Sequence, residues 1–510
     1  MHNFGVGSWL HRRMPKSGTK PALIAGDRNV SYAELTERAD KLANALRLRG
    51  VRRSDRVAYL GENDPSFVET FFACGLLGAI FVPLNTRLAA PELKFQLEDS
   101  GARVLISASE LESLAAAAVT GAAVNRRIVV DADPEVEATG VEEYDTVLTQ
   151  SPSNFIDESI TLSDPAMILY TSGTTGFPKG ALLTHGNITW NCLNTLVDVD
   201  LNRNDVALMI SPLFHAASLD MGLLPMLLKG GTVVLEARFD PGRALTLIQA
   251  HKVTTLNGVP TTFQMLCEHP AWAGTDISSL EKLTCGGSAI PTRVIEAYQA
   301  RDIGFTSCYG MTEASPGVTM LPVERSREKI GSAGLAHFFT DMRIADPLGA
   351  AIAPGEVGEI QISGPNVISQ YWNRAQETRD SYAEGGWFRS GDMGYTDSEG
   401  FLFVSDRLKD MIISGGENIY PAEVEAAILE LDTVASVAVI GVPDEKWGEV
   451  PKAIITLHPG STLTQEELRS HLEGKLARYK IPKAVVFVDD MPRTASGKIR
   501  KRDLRQQFSA

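Results

Sequence analysis

The sequence has few cysteines, fewer basic than acidic residues and no long apolar run. Its five cysteines are odd in number and show no C-x-x-C spacing, so we expect a reducing compartment with neither a disulfide framework nor a zinc site. The net charge of −15 argues against a nucleic-acid-binding surface. The longest apolar region, 208–228, is interrupted by His215, Asp220 and Pro225, and the N-terminus lacks the apolar core of a signal peptide. We therefore expect a cytoplasmic protein that neither spans a membrane nor binds nucleic acid.

The length of 510 residues exceeds what one hydrophobic core usually supports, so at least two domains are expected. Helical patterns alternate with strand patterns, and one helix is predicted within 30–50, where Ser31 and Glu34 are typical of a helix start. Strands are predicted at 56–60, 104–106, 128–130, 207–210 and 232–235. This alternation predicts an α/β fold of mostly parallel sheets flanked by helices.

The pattern changes near residue 330 and again near residue 406. Turn signals at 346–349 and 354–355 flank short strands at 342–345 and 358–362, which predicts a small antiparallel, barrel-like part. The later segments, a helix at 421–431, strands at 434–442 and 452–457 and a helix at 465–476, predict a small α+β unit with a βαβ-like arrangement. We therefore divide the chain into an N-terminal domain, 1–406, and a C-terminal domain, 407–510.

Residues 170–180, with the sequence YTSGTTGFPKG, have the composition of a phosphate-binding loop. Gly173 and Gly176 allow the backbone to approach an anion closely, and successive backbone N–H groups can form a concave donor surface. Lys179 adds one positive charge. The loop is not a P-loop, because no Ser or Thr follows the lysine. Its hydroxyl side chains belong to Thr171, Ser172, Thr174 and Thr175.

Six further segments carry side chains suited to a binding site, and four of them contain glycine: 212–215 (PLFH), 284–288 (TCGGS), 309–313 (YGMTE), 387–392 (WFRSGD), 406–410 (DRLKD) and 492–498 (PRTASGK). Each segment alone is equally consistent with a turn or a cap. Together and in this order, they resemble the adenylate-forming superfamily, which includes acyl-CoA synthetases, firefly luciferase and the adenylation domains of peptide synthetases. The segment 407–426 is most similar to acyl-CoA synthetases of the fatty-acid and aryl-acid type.

The resemblance implies a two-step reaction that uses ATP, Mg²⁺ and coenzyme A. A carboxylic acid attacks the α-phosphate of ATP to give an acyl-adenylate and pyrophosphate, and a thiol then displaces AMP. The resemblance further implies a small C-terminal domain that is mobile and rotates between the two steps. It assigns catalytic roles to Lys498, Glu313, Thr171 and His215.

The resemblance also implies the nucleotide contacts. Tyr309 is expected to stack on the adenine, Asp392 and Arg407 to bind the ribose, and Glu313 with Thr171 to hold magnesium, which favours oxygen ligands. The remaining nucleotide-binding residues that we expect are Ser172, Gly173, Thr174, Thr175, Lys179, Gly287, Ser288, Gly310 and Thr312.

The C-terminal domain is expected to contribute to both steps. Lys498 matches the lysine that reaches the α-phosphate and the attacking carboxylate, where a cation stabilises the transition state electrostatically. Lys409 matches the hinge position. Gly415 and Gly416 are expected to border the pantetheine tunnel of coenzyme A, and Trp447 is expected to contact the nucleotide of coenzyme A.

The acyl pocket is expected to involve His215, Gly222, Gly286 and Cys308, along with residues 257–260. No Arg or Lys lies within 204–227 or 284–292, and a second substrate carboxylate would need a cation, so we expect an apolar acid. Many relatives have Gln-Gly-Tyr-Gly where this chain has Ser-Cys-Tyr-Gly at 307–310. The cysteine at this position predicts an altered pocket, suited to a branched or bulky acid.

Two alternatives remain open on the sequence alone. The first is a ligase that loads the phosphopantetheine thiol of a carrier protein, although no carrier segment follows Lys498 and no long insertion lies within 331–358. The second is a protein that performs only one half-reaction. A luciferase-like oxidation has no support in these residues. Many relatives form homodimers, but no surface pattern in this sequence identifies such an interface.

Overall fold

The computed structural model describes residues 2–132, 141–171, 178–286, 290–407, 410–414, 417–444, 447–473, 475–476, 478–493 and 498–508. Within these ranges the strands form four sheets. The helices are Trp9–Ser17, Tyr32–Leu48, Pro65–Leu77, Ala90–Ser100, Glu112–Val119, Tyr144–Thr149, His185–Asp198, Ala216–Ser218, Leu224–Lys229, Pro241–His251, Pro260–Cys267, Thr292–Gln299, Ala375–Asp380, Pro421–Leu429, Gln465–Leu472 and Lys501–Phe508. No helix in this described part of the chain combines the length and apolarity needed to traverse a bilayer.

The first sheet is parallel except at one edge, where the strand that precedes the phosphate-loop segment pairs with the strand that follows it. The loop segment therefore joins two antiparallel strands, with Thr171 opposite Lys179. In spatial order the strands are Glu142–Glu143, Arg126–Val130, Val104–Ala108, Arg56–Leu60, Ile80–Pro83, Pro165–Thr171 and Lys179–Thr184.

The second sheet has a parallel centre with antiparallel strands at both edges. In spatial order its strands are Leu335–Ala336, Gly317–Met320, Phe305–Gly310, Lys282–Gly286, Thr255–Gly258, Val206–Met209, Thr232–Leu235, Pro21–Ala25 and Arg28–Ser31. The parallel strands confirm the α/β class predicted from the sequence.

The two large sheets share one apolar core, which contains Tyr59 and Phe81 of the first sheet and Met209 of the second. The helix Pro65–Leu77 belongs to this core and is buried at all thirteen positions. Asp64 caps its start by accepting a hydrogen bond from the Ser66 N–H, and Gly78 ends it in the left-handed conformation that glycine adopts without strain. The helix Tyr32–Leu48 begins as predicted, with the Ser31 side chain accepting from the Glu34 N–H.

A third sheet is antiparallel throughout and comprises Asp341–Ala345, Gly358–Ser363, Trp387–Thr396, Tyr382–Ala383 and Leu402–Arg407. It matches the antiparallel part predicted from the turn signals. Its long central strand Trp387–Thr396 carries Asp392, and the register places Asp392 opposite Arg407 of the last strand.

The fourth sheet lies in the C-terminal part and comprises Glu417–Ile419, Ile412–Ser414, Gly448–Leu457, Val434–Asp444 and Ala484–Phe487. The predicted βαβ-like arrangement was wrong for the first two long strands, because Val434–Asp444 and Gly448–Leu457 pair antiparallel. They are joined by a short connection, which favours a hairpin over a helical crossover. The parallel pair is Gly448–Leu457 with Ala484–Phe487, and the helix Gln465–Leu472 lies between them in sequence.

Candidate active site

Part of the predicted pocket lies at the carboxyl ends of the parallel strands in the second sheet, whereas His215 and Gly222 lie in the segments that follow the strand Val206–Met209. Gly286 and Gly310 are the last residues of neighbouring strands, and Met209 and Gly258 end two further strands. Open α/β sheets bind ligands at this edge. The fold therefore brings together residues that are far apart in sequence.

Glu313 and Thr171, the residues expected to hold magnesium, are neighbours. The Thr171 hydroxyl lies 3.3 Å from Glu313 Oε1, and the Tyr371 hydroxyl donates a 2.9 Å hydrogen bond to the same oxygen. Glu313 is buried, and its charge acts with burial to raise the pKa of Tyr371, so that hydroxyl remains a donor. The carboxylate and the hydroxyl are oxygen ligands of the kind that a hard cation prefers. These residues therefore fit a magnesium ion that is also coordinated by phosphates.

Lys179 lies on the strand opposite Thr171, and its ammonium group is 5.6 Å from the centre of the Tyr371 ring. Tyr371 thus contacts both the predicted metal carboxylate and the predicted phosphate-binding lysine. Sequence analysis did not identify Tyr371. It lies outside the six segments, and only the fold brings it next to Glu313.

The residues expected to bind the nucleoside are also in contact. The Tyr309 hydroxyl donates a 2.7 Å hydrogen bond to Asp392 Oδ2, and both side chains are at least nine-tenths buried. Gly310 follows Tyr309 and packs closely on the backbone, since a Cβ atom there would lie 1.9 Å from the Pro316 carbonyl oxygen. Thr312 begins the short helical turn Thr312–Ala314. The structure therefore places the expected adenine and ribose residues at one point.

Lys498 lies close enough to the acyl-pocket residues for its charge to act on two of them. Burial, together with the charges of Lys498 and Arg87, lowers the pKa of His215 to about 4. His215 Nε2 is buried and has no hydrogen-bond partner among the described residues. Burial raises the pKa of Cys308 to about 12, and the positive charge of Lys498 opposes that rise. His215 is consequently neutral at pH 7, and Lys498 of the C-terminal part lies near the predicted pocket.

The two pocket glycines are each in contact with a sulfur-containing side chain. A Cβ atom on Gly286 would lie 2.8 Å from Cys308 Sγ, and a Cβ atom on Gly222 would lie 2.7 Å from Met209 Sδ. Gly222 belongs to a single π-helical turn, Leu219–Leu223. The two sulfur atoms therefore occupy the space that side chains at positions 222 and 286 would otherwise fill.

An internal cavity of about 10 Å³ continues beyond Gly222, which is room for about one water molecule. Four methionines from separate elements line it, and sequence analysis did not identify them because methionines in apolar patterns indicate only a core. None of the lining residues is charged. They are Thr195, Val199, Leu201, Ala207, Met209, Met221, Gly222, Met226, Thr255, Asn257, Thr284 and Met320.

Trp447 lies in the C-terminal part and is 41% exposed, with the Lys483 ammonium 5.5 Å from the centre of its ring. Arg407 is described only through its backbone, which pairs with Asp392. Several predicted site residues lie outside the described residues. They are Ser172, Gly173, Thr174, Thr175, Gly287, Ser288, Lys409, Gly415 and Gly416.

Residues 10–372 match the family of AMP-binding enzymes, and residues 423–498 match the C-terminal domain of AMP-binding enzymes. The chain belongs to the AMP-binding enzyme family. It is 49% identical to a feruloyl-CoA synthase from an Amycolatopsis species, over 100% of both chains. It is 40% identical to an indoleacetate–CoA ligase from Aromatoleum aromaticum, over 98% of both chains.

Among solved structures, this AMP-binding enzyme resembles the o-succinylbenzoate coenzyme A synthetase MenE from Bacillus subtilis in complex with ATP and a magnesium ion. The TM-score is 0.87 at 35% identity, and the alignment covers 99% of each chain. These findings confirm the predicted superfamily, the fold and the enzyme class, an AMP-forming acid–thiol ligase. They also confirm ATP, Mg²⁺ and coenzyme A as the cofactors.

Proposed function

We propose that this AMP-binding enzyme activates an apolar aryl carboxylic acid of the arylpropenoic or arylacetic kind and transfers the acyl group to coenzyme A. The residues around Gly222 carry the proposal, because those that line the small cavity there are apolar or uncharged and offer no cation for a second carboxylate. The relatives named for ferulate and indoleacetate support the same class of acid.

The contacts support a division of roles in adenylation. An oxygen of the substrate carboxylate forms a bond to the α-phosphorus of ATP, and the bond to pyrophosphate breaks. We assign Lys498 to the α-phosphate and the attacking carboxylate, because its charge already acts on His215 and Cys308. Glu313 and Thr171 would hold magnesium, which when bound offsets the charge that develops on pyrophosphate.

For the nucleoside and the second step, the assignments rest on the same geometry. Tyr309 and Asp392 would bind adenine and ribose side by side. In thioester formation the thiol of coenzyme A loses its proton to solvent and its sulfur bonds to the acyl carbon. The bond between the acyl carbon and the AMP oxygen breaks, and AMP leaves with its electrons. His215 is neutral, so we assign it to packing against and orienting the acyl carbonyl, with no role as a proton donor at neutral pH.

The domain division at residues 406 and 407, with Lys409 as the hinge, is also a proposal. It is supported by the strand Leu402–Arg407, which is the last of the third sheet, and by Ile412–Ser414, which begins the fourth. Rotation about this connection would place Lys498 at the active site for adenylation. It would then place the Gly415–Gly416 segment and Trp447 there for thioester formation.

We propose coenzyme A as the acceptor in place of a carrier protein, because the similar relatives are named as CoA ligases. All five cysteines are free thiols, which supports a reducing compartment such as the cytoplasm. A homodimer remains a proposal from the family resemblance, and light scattering on the purified protein tests it.

A panel of acids tests the proposed substrate class, with ATP–pyrophosphate exchange and coenzyme A thioester measured in parallel. The panel contains ferulate, indoleacetate, a branched short-chain acid, palmitate and o-succinylbenzoate. We expect both signals to be largest on an aryl monocarboxylate. A clear preference for palmitate or for the dicarboxylate would overturn the proposal. Thioester formed only from supplied acyl-adenylate would instead identify an enzyme of one half-reaction.

A further inference from the structure

A buried asparagine links two walls of the candidate active site. Asn191 lies on the helix His185–Asp198 and has no exposed surface. Its Nδ2 donates a 2.9 Å hydrogen bond to the Asp220 carbonyl oxygen, and its Oδ1 accepts a 2.9 Å hydrogen bond from the Gly317 N–H. One side-chain amide is therefore bonded to the backbone of two segments that are almost 100 residues apart in sequence.

The first of these segments is the π-helical turn Leu219–Leu223, whose Met221 and Gly222 line the acyl cavity. Two asparagine side chains donate to successive backbone carbonyls of this turn. Asn191 donates to the Asp220 carbonyl oxygen, and Asn257 donates to the Met221 carbonyl oxygen at 3.2 Å. The Asp220 carboxyl group is fully buried and has no hydrogen-bond partner among the described residues. Single π-helical turns are rare and concentrate at functional sites. The position of this turn thus depends on hydrogen bonds from its neighbours.

The second segment is the turn that carries Glu313. Gly317 pairs with Gly310 across this turn. Asn366 fastens the same turn by donating to the Ala314 and Gly317 carbonyl oxygens at 2.8 and 2.7 Å. A Cβ atom on Gly317 would lie 2.7 Å from Asn191 Oδ1, so the amide is packed directly against the backbone. A shift of Asn191 would therefore be transmitted to the turn that positions the metal carboxylate.

We propose that Asn191 is a positioning residue that couples two segments. One is the π-helical turn Leu219–Leu223, here called the acyl wall, and the other is the turn 310–317 that carries Glu313, here called the magnesium turn. An acid bound against Met221 and Gly222 fixes the π-helical turn, and Asn191 passes this constraint to Gly317 and the segment of Glu313. Binding of the acid then strengthens binding of Mg·ATP, and by thermodynamic reciprocity Mg·ATP strengthens binding of the acid. The proposal rests on the proposed assignment of Glu313 to magnesium and of the residues around Gly222 to the acyl pocket.

Asn3 is a matched control. It is equally buried and likewise bonds to the backbone through both ends of its amide: Nδ2 donates to the Gly75 carbonyl oxygen at 3.1 Å, and Oδ1 accepts from the Gly5 N–H at 2.9 Å. Its partners belong neither to the acyl wall nor to the turn of Glu313. Replacement of either asparagine by serine removes a comparable pair of buried hydrogen bonds, so a general loss of stability should be similar in the two variants.

The test measures the dissociation constant of magnesium α,β-methylene-ATP with and without a saturating acid, by calorimetry on the full chain. The acid is whichever compound is best in the substrate panel, so an error in the aryl assignment leaves this test intact. We expect the acid to tighten nucleotide binding at least about fivefold in the wild type and in Asn3→Ser, and less than about twofold in Asn191→Ser.

Hydrogen exchange on the wild type gives a second measurement, which does not depend on any variant folding correctly. Addition of the acid alone should slow exchange of the backbone amides in 312–317, including that of Gly317. Three results would overturn the proposal. They are no tightening of nucleotide binding by the acid in the wild type, equal tightening in Asn191→Ser and the wild type, or an equal reduction of the tightening in the two serine variants. Unchanged exchange in 312–317 would also contradict it.

Discussion

The Tyr309 hydroxyl donates a 2.7 Å hydrogen bond to Asp392 Oδ2, and this contact joins the second sheet to the third. Tyr309 lies on the edge of the parallel region, whereas Asp392 lies on the central strand of the antiparallel sheet. The bond fixes the orientation of an aromatic face relative to a carboxylate. Under the proposed function, Tyr309 faces the base and Asp392 the ribose hydroxyls, so the pair would be a preformed recognition element.

Replacement of Tyr309 by phenylalanine should weaken ATP binding while leaving the chemical step largely intact. The change keeps the aromatic face but removes a hydrogen bond to a carboxylate, which is worth about 1.5–3 kcal/mol. We expect the KM for ATP to rise about tenfold or more with little change in kcat, the pattern of lost uniform binding. Steady-state kinetics with ATP varied measure this effect.

Tyr395→Phe is the matched control, because Tyr395 lies on the same strand as Asp392 but stacks on Phe403. Its KM for ATP should equal that of the wild type. If Tyr309→Phe lowered kcat and kcat/KM equally instead, the contact would act in the transition state and the assignment to nucleoside binding would fail.

Replacement of Lys498 by methionine should separate the two half-reactions. Removal of a single preorganised charge typically costs about 10² to 10³ in rate, so we expect ATP–pyrophosphate exchange to fall by at least about 10². Thioester formation from supplied acyl-adenylate should change less than about threefold, because the proposed rotation of the C-terminal domain takes Lys498 away from the α-phosphate before that step. Both rates are measured with the same acid and enzyme preparation.

Lys480→Met provides the comparison for this variant. Lys480 lies in the same C-terminal part, and its ammonium group is engaged with Glu423 at 2.7 Å. Its replacement should leave both half-reactions near the wild-type rates. Equal losses of the two half-reactions in Lys498→Met would indicate damage to the C-terminal part and would contradict a role confined to adenylation.

Much of the fold could be predicted because local patterns determine it. The strand predicted at 56–60 is Arg56–Leu60, and the strand predicted at 232–235 is Thr232–Leu235. Apolar runs between turn signals suffice for such elements. The pairing direction of Val434–Asp444 and Gly448–Leu457 could not be predicted, since it depends on the length of a connection whose boundaries the apolar pattern leaves open.

The same distinction applies to the site. Glu313, Asp392 and Lys498 stand in polar, glycine-containing segments that resemble family motifs. Tyr371 and Asn191 act through a hydroxyl and an amide that meet their partners only after the sheets assemble, as in the Tyr371 hydrogen bond to Glu313. A lone tyrosine in a loop or an asparagine on a helix carries no local signal of this kind.

Replacement of Cys308 by glycine should enlarge the acyl pocket. Cys308 Sγ occupies the space next to Gly286, 2.8 Å from where a Cβ atom would lie, and its removal opens that space. We expect the ratio of kcat/KM for a straight medium-chain acid to kcat/KM for ferulate to rise about tenfold or more, since one methylene group is worth 10- to 200-fold in a pocket. Competition between the two acids, with both thioesters measured by mass, gives this ratio directly.

Cys285→Ala controls for the loss of a thiol from the same region. Cys285 is buried on the neighbouring strand and packs in the separate apolar cluster of Leu283 and Phe263. Its replacement should leave the selectivity ratio unchanged. An unchanged ratio in Cys308→Gly would show that the cysteine does not border the bound acyl group, and the predicted altered pocket would be wrong.

Acidification should destabilise the enzyme through His185. This residue is fully buried, and burial lowers its pKa to about 4 from the ordinary value of 6.5. Between these two values the unfolded chain binds a proton that the folded protein does not, so stability falls as the pH decreases through this window. The contribution of His185 amounts to about 2 kcal/mol between pH 7 and pH 5.

Urea unfolding at pH 7 and pH 5 measures this effect in the wild type and in His185→Asn. The asparagine oxygen can accept the hydrogen bond that the Val6 N–H donates to His185 Nδ1, and the variant has no group to titrate in this range. We expect the loss of unfolding free energy between the two pH values to be smaller in the variant by about 2 kcal/mol. Equal losses in the two proteins would mean that His185 binds its proton equally well in both states, and other groups would then account for the acid sensitivity.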